Sequence, residues 1–206
     1  MFKTKGHIIL ASNSPRRREF LSSLGIEFDV IPADVEEKFI SGETFREHVV
    51  RLSVKKSKKV SGENPDAFVL GADTLVVIDG RPLGKPKNEE EALEMLRTIS
   101  GKRHTVLSGY CVVSGRTGKM KKGAVETEVT IKELTTDEIE AYVSTHESMD
   151  KAGSYAIQGI GSFMVTEIQG SYTNVVGLPV PEVVGAFLDL GAIEIVKKKG
   201  SEVNFA

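Results

Sequence analysis

This 206-residue chain has a single cysteine, Cys111. One thiol cannot build an internal disulfide framework or a cysteine-rich metal site, and such usage suits a reducing cytoplasm. Cys111 lies in the strand-like stretch YCVVS and reads as a small buried hydrophobe. No stretch approaches the roughly 18 apolar residues of a membrane-spanning helix. The apolar run in MFKTKGHIILAS is too short for a secretory signal. Neither sign of charge dominates, with 27 Lys and Arg against 29 Asp and Glu and a net charge of -2. No overall field therefore draws the chain to DNA or to an anionic membrane, and any cationic function has to be local. The four histidines, His7, His48, His104 and His146, show no metal spacing and read as structural or exposed. A phosphate loop of the form GxxxxGKS/T and a GxSxG serine elbow are both absent, as are internal repeats and low-complexity linkers. What remains is a cytosolic protein with an ordinary 40% of hydrophobic residues. Its length suits one core, with two small lobes around a cleft as an alternative arrangement.

The pattern of elements is legible. HIILAS reads as a short buried strand. Ser14 can cap the helix that follows, Pro15 suits its first position and Gly25 its stop. Phe20, Leu21 and Leu24 give that helix an apolar face. FDVIPADVEE is a second extended piece, ending in acids. Thr44 and Glu47 make a capping box for a helix over roughly 45–60 that carries Lys55, Lys56, Lys58 and Lys59. DAFVLGADTLVVIDGRPLGKP reads as strand, interruption, strand, with Asp79–Gly80 as a hairpin turn. Asn88 and Glu91 cap another helix, which Gly101 closes. Two strands, HTVLSGYCVVS and AVETEVTIKEL, flank a turn rich in Gly and Lys. Thr135 and Glu138 form a third capping box, a Gly-rich stretch follows, and EVVGAFLDLG is the last clear helix. Strands and helices interleave, but several strand pairs look like hairpins, which predicts a mixed α/β sheet over a fully parallel one.

The first helix opens with Arg16, Arg17 and Arg18. A helix N-terminus behaves like about half a positive charge, so cations there cost about 0.3–1 kcal/mol each. Its free N–H groups favour an anion. Arginines at that end make sense if an anion completes the site, and their forks suit phosphate oxygens. Helical geometry puts Arg17 close to the apolar direction, Arg16 to one side and Arg18 toward solvent. Arg16 and Arg17 are the expected ligand contacts and Arg18 an expected surface charge. The plainer alternative leaves all three solvated or paired with acids.

Asp73 stands inside the apolar run FVLGADTLVVI. An ionised carboxylate there is costly unless paired or bound to metal. Asp73 is therefore expected to be a metal ligand, a general base, or both, against the alternative of a turn aspartate capping local N–H groups. Gly71 allows a close backbone approach or a bulge. Glu36 and Glu37 are neighbours, so on a strand only one of them can face a cleft, and the pattern does not choose. Hard oxygen donors of this kind suit Mg2+ or Mn2+, with water and substrate phosphate filling the remaining positions. Lys85, between Gly84 and Pro86, can be aimed at a phosphate. A single lysine in a run such as KKSKK, Lys56 included, reads as part of a solvated face.

Taken together, ASNSPRRREFLSSLG, VEE, VVRLSVKKSKKV, LGADTLVV, LGKP, ISGKRHTVLSG, DKAGSYAIQG and GSYTNVVGLP resemble the Maf family of nucleoside triphosphate pyrophosphatases. The likeness spans nearly the whole chain. It implies a single domain over residues 1–206 with an ITPase-like α/β fold, a mixed sheet with two lobes around a deep substrate cleft, and usually a homodimer. It also implies a divalent metal, Mg2+ or Mn2+, and cleavage between the α- and β-phosphates of a nucleoside triphosphate. Position by position, Asp73 looks like the catalytic proton acceptor. Arg16, Thr74 and Gln158 match positions tied to base selection. Arg17, Glu37, Lys56 and Lys85 match cleft residues near the phosphates and metal, with Glu37 and Asp73 as the metal ligands and Ser12 and Ser14 in the substrate-binding turn. Asn13 stands where many relatives have a small residue. A glutamine in YAIQG looks like the branch acting on dTTP and UTP, and an amide offers the donor and acceptor that a pyrimidine edge needs.

The resemblance also frames a mechanism. The helix start after Ser14, with Arg16, Arg17, Lys56 and Lys85, holds the triphosphate, and Asp73 orients or deprotonates the attacking water. Aspartate is a weak base near its usual pKa of about 4, so a metal-lowered water pKa is expected. Two other readings stand beside it. One is a non-catalytic nucleotide- or nucleic-acid-binding regulator of septum formation, with helix 51–59 on DNA; the balanced charge and the lack of an aromatic-laced basic face count against it. The other is a purine house-cleaning pyrophosphatase on the same fold.

Overall fold

The computed structural model describes residues 1–197. The elements run β1 (Phe2–Thr4), β2 (Ile8–Leu10), α1 (Pro15–Ser23), β3 (Asp29–Val30), α2 (Phe45–Glu63), β4 (Phe68–Ile78) and β5 (Arg81–Leu83). They continue with α3 (Glu89–Ile99), β6 (Arg103–Ser114), β7 (Met120–Ile131), α4 (Thr136–Ser144), β8 (Val165–Gln169), α5 (Tyr172–Val176), α6 (Val180–Leu190) and β9 (Ile193–Ile195). Among the described residues no helix is long and apolar enough to cross a membrane.

The main sheet has the order β3-β2-β4-β6-β7-β8, with β5 also paired to β4. β2 lies parallel to β3 and β4, and the other pairs are antiparallel, so the sheet is mixed as the pattern predicts. β1 and β9 form a separate two-stranded sheet. The local signals work where expected. Thr44 and Thr135 head complete capping boxes. Asn88 accepts from the Glu91 N–H, while the Glu91 carboxylate reaches back to the Lys87 N–H. Asp79 and Gly80 both take positive φ in the turn between β4 and β5, which is the primed hairpin geometry. Cys111 is fully buried.

One expectation needs correction. No break interrupts the run around Asp73: β4 is continuous and in register with β6 from Phe68 to Val77. The extended piece FDVIPADVEE pairs in the sheet over Asp29–Val30 and then leaves it. Pro32 cannot donate to a ladder, and the segment lies beyond an edge strand, so nothing holds it in pairing.

Alternation along β4 sorts the core. Leu70 and Ala72 pack with β2, α1 and α6 in one apolar cluster. Val76 and Ile78, on the same face, pack with α3 and α4 in another. Thr74, paired with Ser108 of β6, lies between the two clusters. These clusters are the two lobes. α2 covers the opposite face, with Val49 against Leu75 and Leu107.

Gly71 explains how closely α2 approaches. A Cβ there would sit 2.3 Å from the Ser53 carbonyl oxygen and 2.7 Å from the Ser57 nitrogen. Both are helix backbone atoms that cannot step aside alone. Gly71→Ala is therefore expected to lose at least about 3 kcal/mol of stability in denaturant unfolding.

His104 gives the fold a pH dependence. It is buried beside the α3–α4 cluster, bonded through Nε2 to Tyr155 Oη at 2.7 Å, while Nδ1 has no partner among the described residues. Burial pushes its pKa down to about 4. The unfolded chain protonates this group near 6.5, the folded one only near 4. Stability is thus lost as pH falls through that window, by on the order of 3 kcal/mol, and this contribution is flat below it. Unfolding midpoints measured against pH should show this slope, and His104→Gln should remove it.

Candidate active site

The register leaves one stretch of strand bare. β2 pairs with residues 68–70 of β4 and β5 pairs with residues 76–78. Residues 71–75 thus have a neighbouring strand only on the β6 side. Arg17, on the first turn of α1, takes up this edge. Its Nη1 donates to the Ala72 carbonyl at 2.9 Å and to Ser12 Oγ at 3.0 Å. Its Nη2 donates to Thr74 Oγ1 at 3.0 Å and its Nε to the Gly177 carbonyl at 2.9 Å. Burial pulls the guanidinium down from its usual range, and the nearby Asp73 charge opposes that pull.

Asp73 points to the other face of β4, where α2 supplies Lys56. The Lys56 ammonium donates to Asp73 Oδ1 at 2.7 Å and pairs with Glu37 Oε1 at 2.7 Å. Asp73 and Lys56 are each only 8% exposed, so each charge needs a partner there, which Asp73 finds in Lys56 and Lys56 in Asp73 and Glu37. Asp73 Oδ2 has no protein partner among the described residues. Lys56 is therefore not part of a solvated face. It lies on the buried stripe of α2 with Leu52 and Val60, four residues to either side. Glu37 is the acid that faces the cleft, and Glu36 turns to Lys38 at 2.6 Å.

A cleft of about 970 Å³ opens over this edge, and Arg16, Thr74, Lys85 and Gln158 line it as well. Arg17 is turned inward as its helical position predicts, but protein oxygens hold it. Arg16 reaches across the cleft to Asp150 Oδ2 at 3.3 Å. Arg18 is exposed and, among the described residues, bonds only the Asn13 carbonyl. The Thr74 hydroxyl is shared among Arg17, Ser108 Oγ at 2.9 Å and the Gly177 carbonyl at 3.2 Å. The expected Ser14 cap is not made. Instead Ser12 Oγ accepts the Ser14 N–H at 3.2 Å as well as Arg17, so the start of α1 keeps N–H groups without a side-chain cap.

Sequence reasoning missed the acids of the opposite wall. Asp150 partners Arg16, and Glu147 accepts the N–H groups of Ile160 and Gly161 at 3.1 and 2.9 Å, bracing the loop that carries Gln158. Both sit in a single 3-10 turn, Glu147–Asp150, with no periodic pattern, and only Asp150 falls in the quoted DKAG run. Asn174 was also unassigned. Fully buried, it donates to the Val106 carbonyl and Thr127 Oγ1, which ties the GSYTNVVGLP stretch under the cleft.

No group of three or more His, Cys, Asp or Glu side chains gathers to hold an ion among the described residues. Glu37 and Asp73 do converge on one cation position, since both reach the same ammonium. Two hard carboxylates fit a divalent ion that brings water and phosphate as its other ligands, rather than an all-protein cage.

Fold and site together define a mixed α/β protein with an open cleft, where a buried carboxylate is held by a lysine at a bare strand edge. The chain belongs to the Maf family: the model described as Maf-like protein matches residues 7–190. A dTTP/UTP pyrophosphatase of Syntrophus aciditrophicus is 50% identical over 186 residues, 90% of this chain and 91% of its own length. One of Geotalea uraniireducens is 49% identical over 194 residues, 94% of this chain and all of its own. Among solved structures, the Ham1 protein of Staphylococcus aureus aligns over 90% of this chain and 99% of its own at 18% identity. The TM-score of that alignment is 0.46.

Arg17→Lys keeps the charge but loses the planar fork that spans four acceptors. With buried carbonyls left unpaired, the variant is expected to lose about 2–3 kcal/mol in denaturant unfolding.

Proposed function

We propose that this chain hydrolyses dTTP and UTP to the nucleoside monophosphate and pyrophosphate. The observation that carries the proposal is the buried Asp73 carboxylate lining the cleft, with one oxygen on Lys56 and the other without a protein partner among the described residues. The substrate class comes from relatives of that activity near 50% identity over most of both chains.

The uncapped N–H groups at the start of α1 with Ser12 and Ser14, together with Arg16, Lys56 and Lys85, receive the triphosphate, and Arg17, whose fork stays on protein oxygens, adds fixed positive charge behind them. Arg16 exchanges its Asp150 partner for phosphate oxygen. Glu37 and Asp73 would hold the divalent cation, Mg2+ or Mn2+. When bound, that ion neutralises phosphate charge and makes water more acidic. Asp73 orients a water and accepts its proton as the oxygen bonds to the α-phosphorus. The anhydride bond to the β-phosphate breaks, and pyrophosphate leaves into the cations. Most of the rate comes from positioning and charge stabilisation. Thr74, Arg16 and Gln158 select the base, and the Gln158 amide supplies the donor and acceptor of a pyrimidine partner. The same proposal takes residues 1–206 as one Maf domain that works as a homodimer in the cytoplasm, in keeping with its lone buried thiol.

Pyrophosphate release from dTTP, UTP and purine triphosphates with Mn2+ tests the reading. Asp73→Asn leaves Lys56 paired to Glu37, so the variant is expected to fold while turnover falls roughly 10²–10⁴-fold. An active Asn variant would remove Asp73 from the mechanism. Nucleotide binding without product in the parent chain would instead favour a regulator, and a purine preference would overturn the pyrimidine assignment.

A further inference from the structure

The cations of α2 follow a pattern that no part of the mechanism above uses. Arg51 Nη2 donates to the Lys38 carbonyl at 2.9 Å and Lys55 Nζ to the Glu36 carbonyl at 3.1 Å. Lys59 Nζ donates to the Asp34 carbonyl. The donors advance by four residues along the helix while the acceptors step back by two. Four helical residues rise about 6.0 Å. Two residues of extended chain cover about 6.6 Å. The two periods match only if residues 34–38 run extended and antiparallel to α2, so that alternate carbonyls face the helix. Lys58, in the same run, has no hydrogen bond or ion pair among the described residues, so the match is not a general property of that lysine cluster.

Glu43 fixes the far end of the segment. Its carboxylate takes the Arg51 fork at 2.7 and 2.8 Å, meets His48 Nδ1 at 2.7 Å and accepts the Ile40 N–H at 2.8 Å. Glu37 lies between two rungs, and its carboxylate reaches Lys56, the helix neighbour of Lys55. A slip of one residue would turn the other set of carbonyls to the helix and carry Glu37 away from Lys56.

We propose that Arg51, Lys55 and Lys59 are positioning residues that hold residues 34–38 extended along α2 and thereby deliver the Glu37 carboxylate beside Asp73. The proposal rests on the role given to Glu37 in the hydrolysis above. It also accounts for the basic run: three of its cations, spaced four apart, are engaged within the chain and are not free to form a nucleic-acid face.

The test uses the full chain with Lys55→Met and Lys59→Met combined, and a second chain with both lysines changed to Arg. Backbone 15N order parameters of residues 34–38 should fall in the Met variant and stay unchanged in β6. The Mn2+ concentration for half-maximal dTTP hydrolysis should rise roughly 10-fold, as expected when support of a metal ligand is lost. The Arg variant should restore both, because a guanidinium also donates to a carbonyl. Unchanged order parameters in the Met variant overturn the rungs. Lowered order parameters with an unchanged Mn2+ requirement overturn the delivery of Glu37. A parent chain that cleaves no nucleoside triphosphate sinks the hydrolase reading and the delivery with it, and the order parameters alone then decide whether the rungs exist.

Discussion

A strand with one missing neighbour is the constraint on which this structure turns. Residues 71–75 of β4 present backbone groups to no partner strand. Buried backbone oxygens must be satisfied, and a partner strand would do so only by filling the cleft. Arg17 resolves the conflict. Its fork reaches the Ala72 carbonyl, two hydroxyls and the Gly177 carbonyl at once, which no smaller donor could do. The edge is satisfied and the cleft stays open.

That bare edge also explains how neighbours in sequence share one cleft. Successive residues of a strand point to opposite faces, and within a fully paired sheet Asp73 and Thr74 would be kept apart. At an edge both faces are accessible from the same side. Thr74 looks toward the gap between the two apolar clusters, Asp73 toward α2, and both line the same space. The cleft is thus a consequence of strand register: β2 stops pairing at Leu70 and β5 begins at Val76.

Lys56 and the arginines of this space have partners before any substrate arrives. Lys56 has Asp73 and Glu37, Arg16 has Asp150, and Arg17 has carbonyls and hydroxyls. The crowding of arginines at a helix N-terminus is therefore relieved by the protein itself, not left for an anion to correct. A polyanion that binds here exchanges partners instead of filling a vacancy of charge. Such exchange lets a buried site hold cations at low dielectric without the large cost of leaving them unpaired.

The sequence by itself determined what neighbours within about four residues control: the capping boxes at Thr44 and Thr135, the Asp79–Gly80 hairpin, the inward turn of Arg17 and the need of Asp73 for a partner. Its motifs were enough to identify the family. Its pattern could not say that the partner is Lys56 or that Arg17 ends on an oxygen of Gly177. The expected Ser14 cap failed for the same reason, since Arg17 and the folded turn draw on Ser12 instead. Only tertiary structure decided these points. Each depends on where strand register and helix packing bring residues far apart in the chain, and no local periodicity encodes that distance.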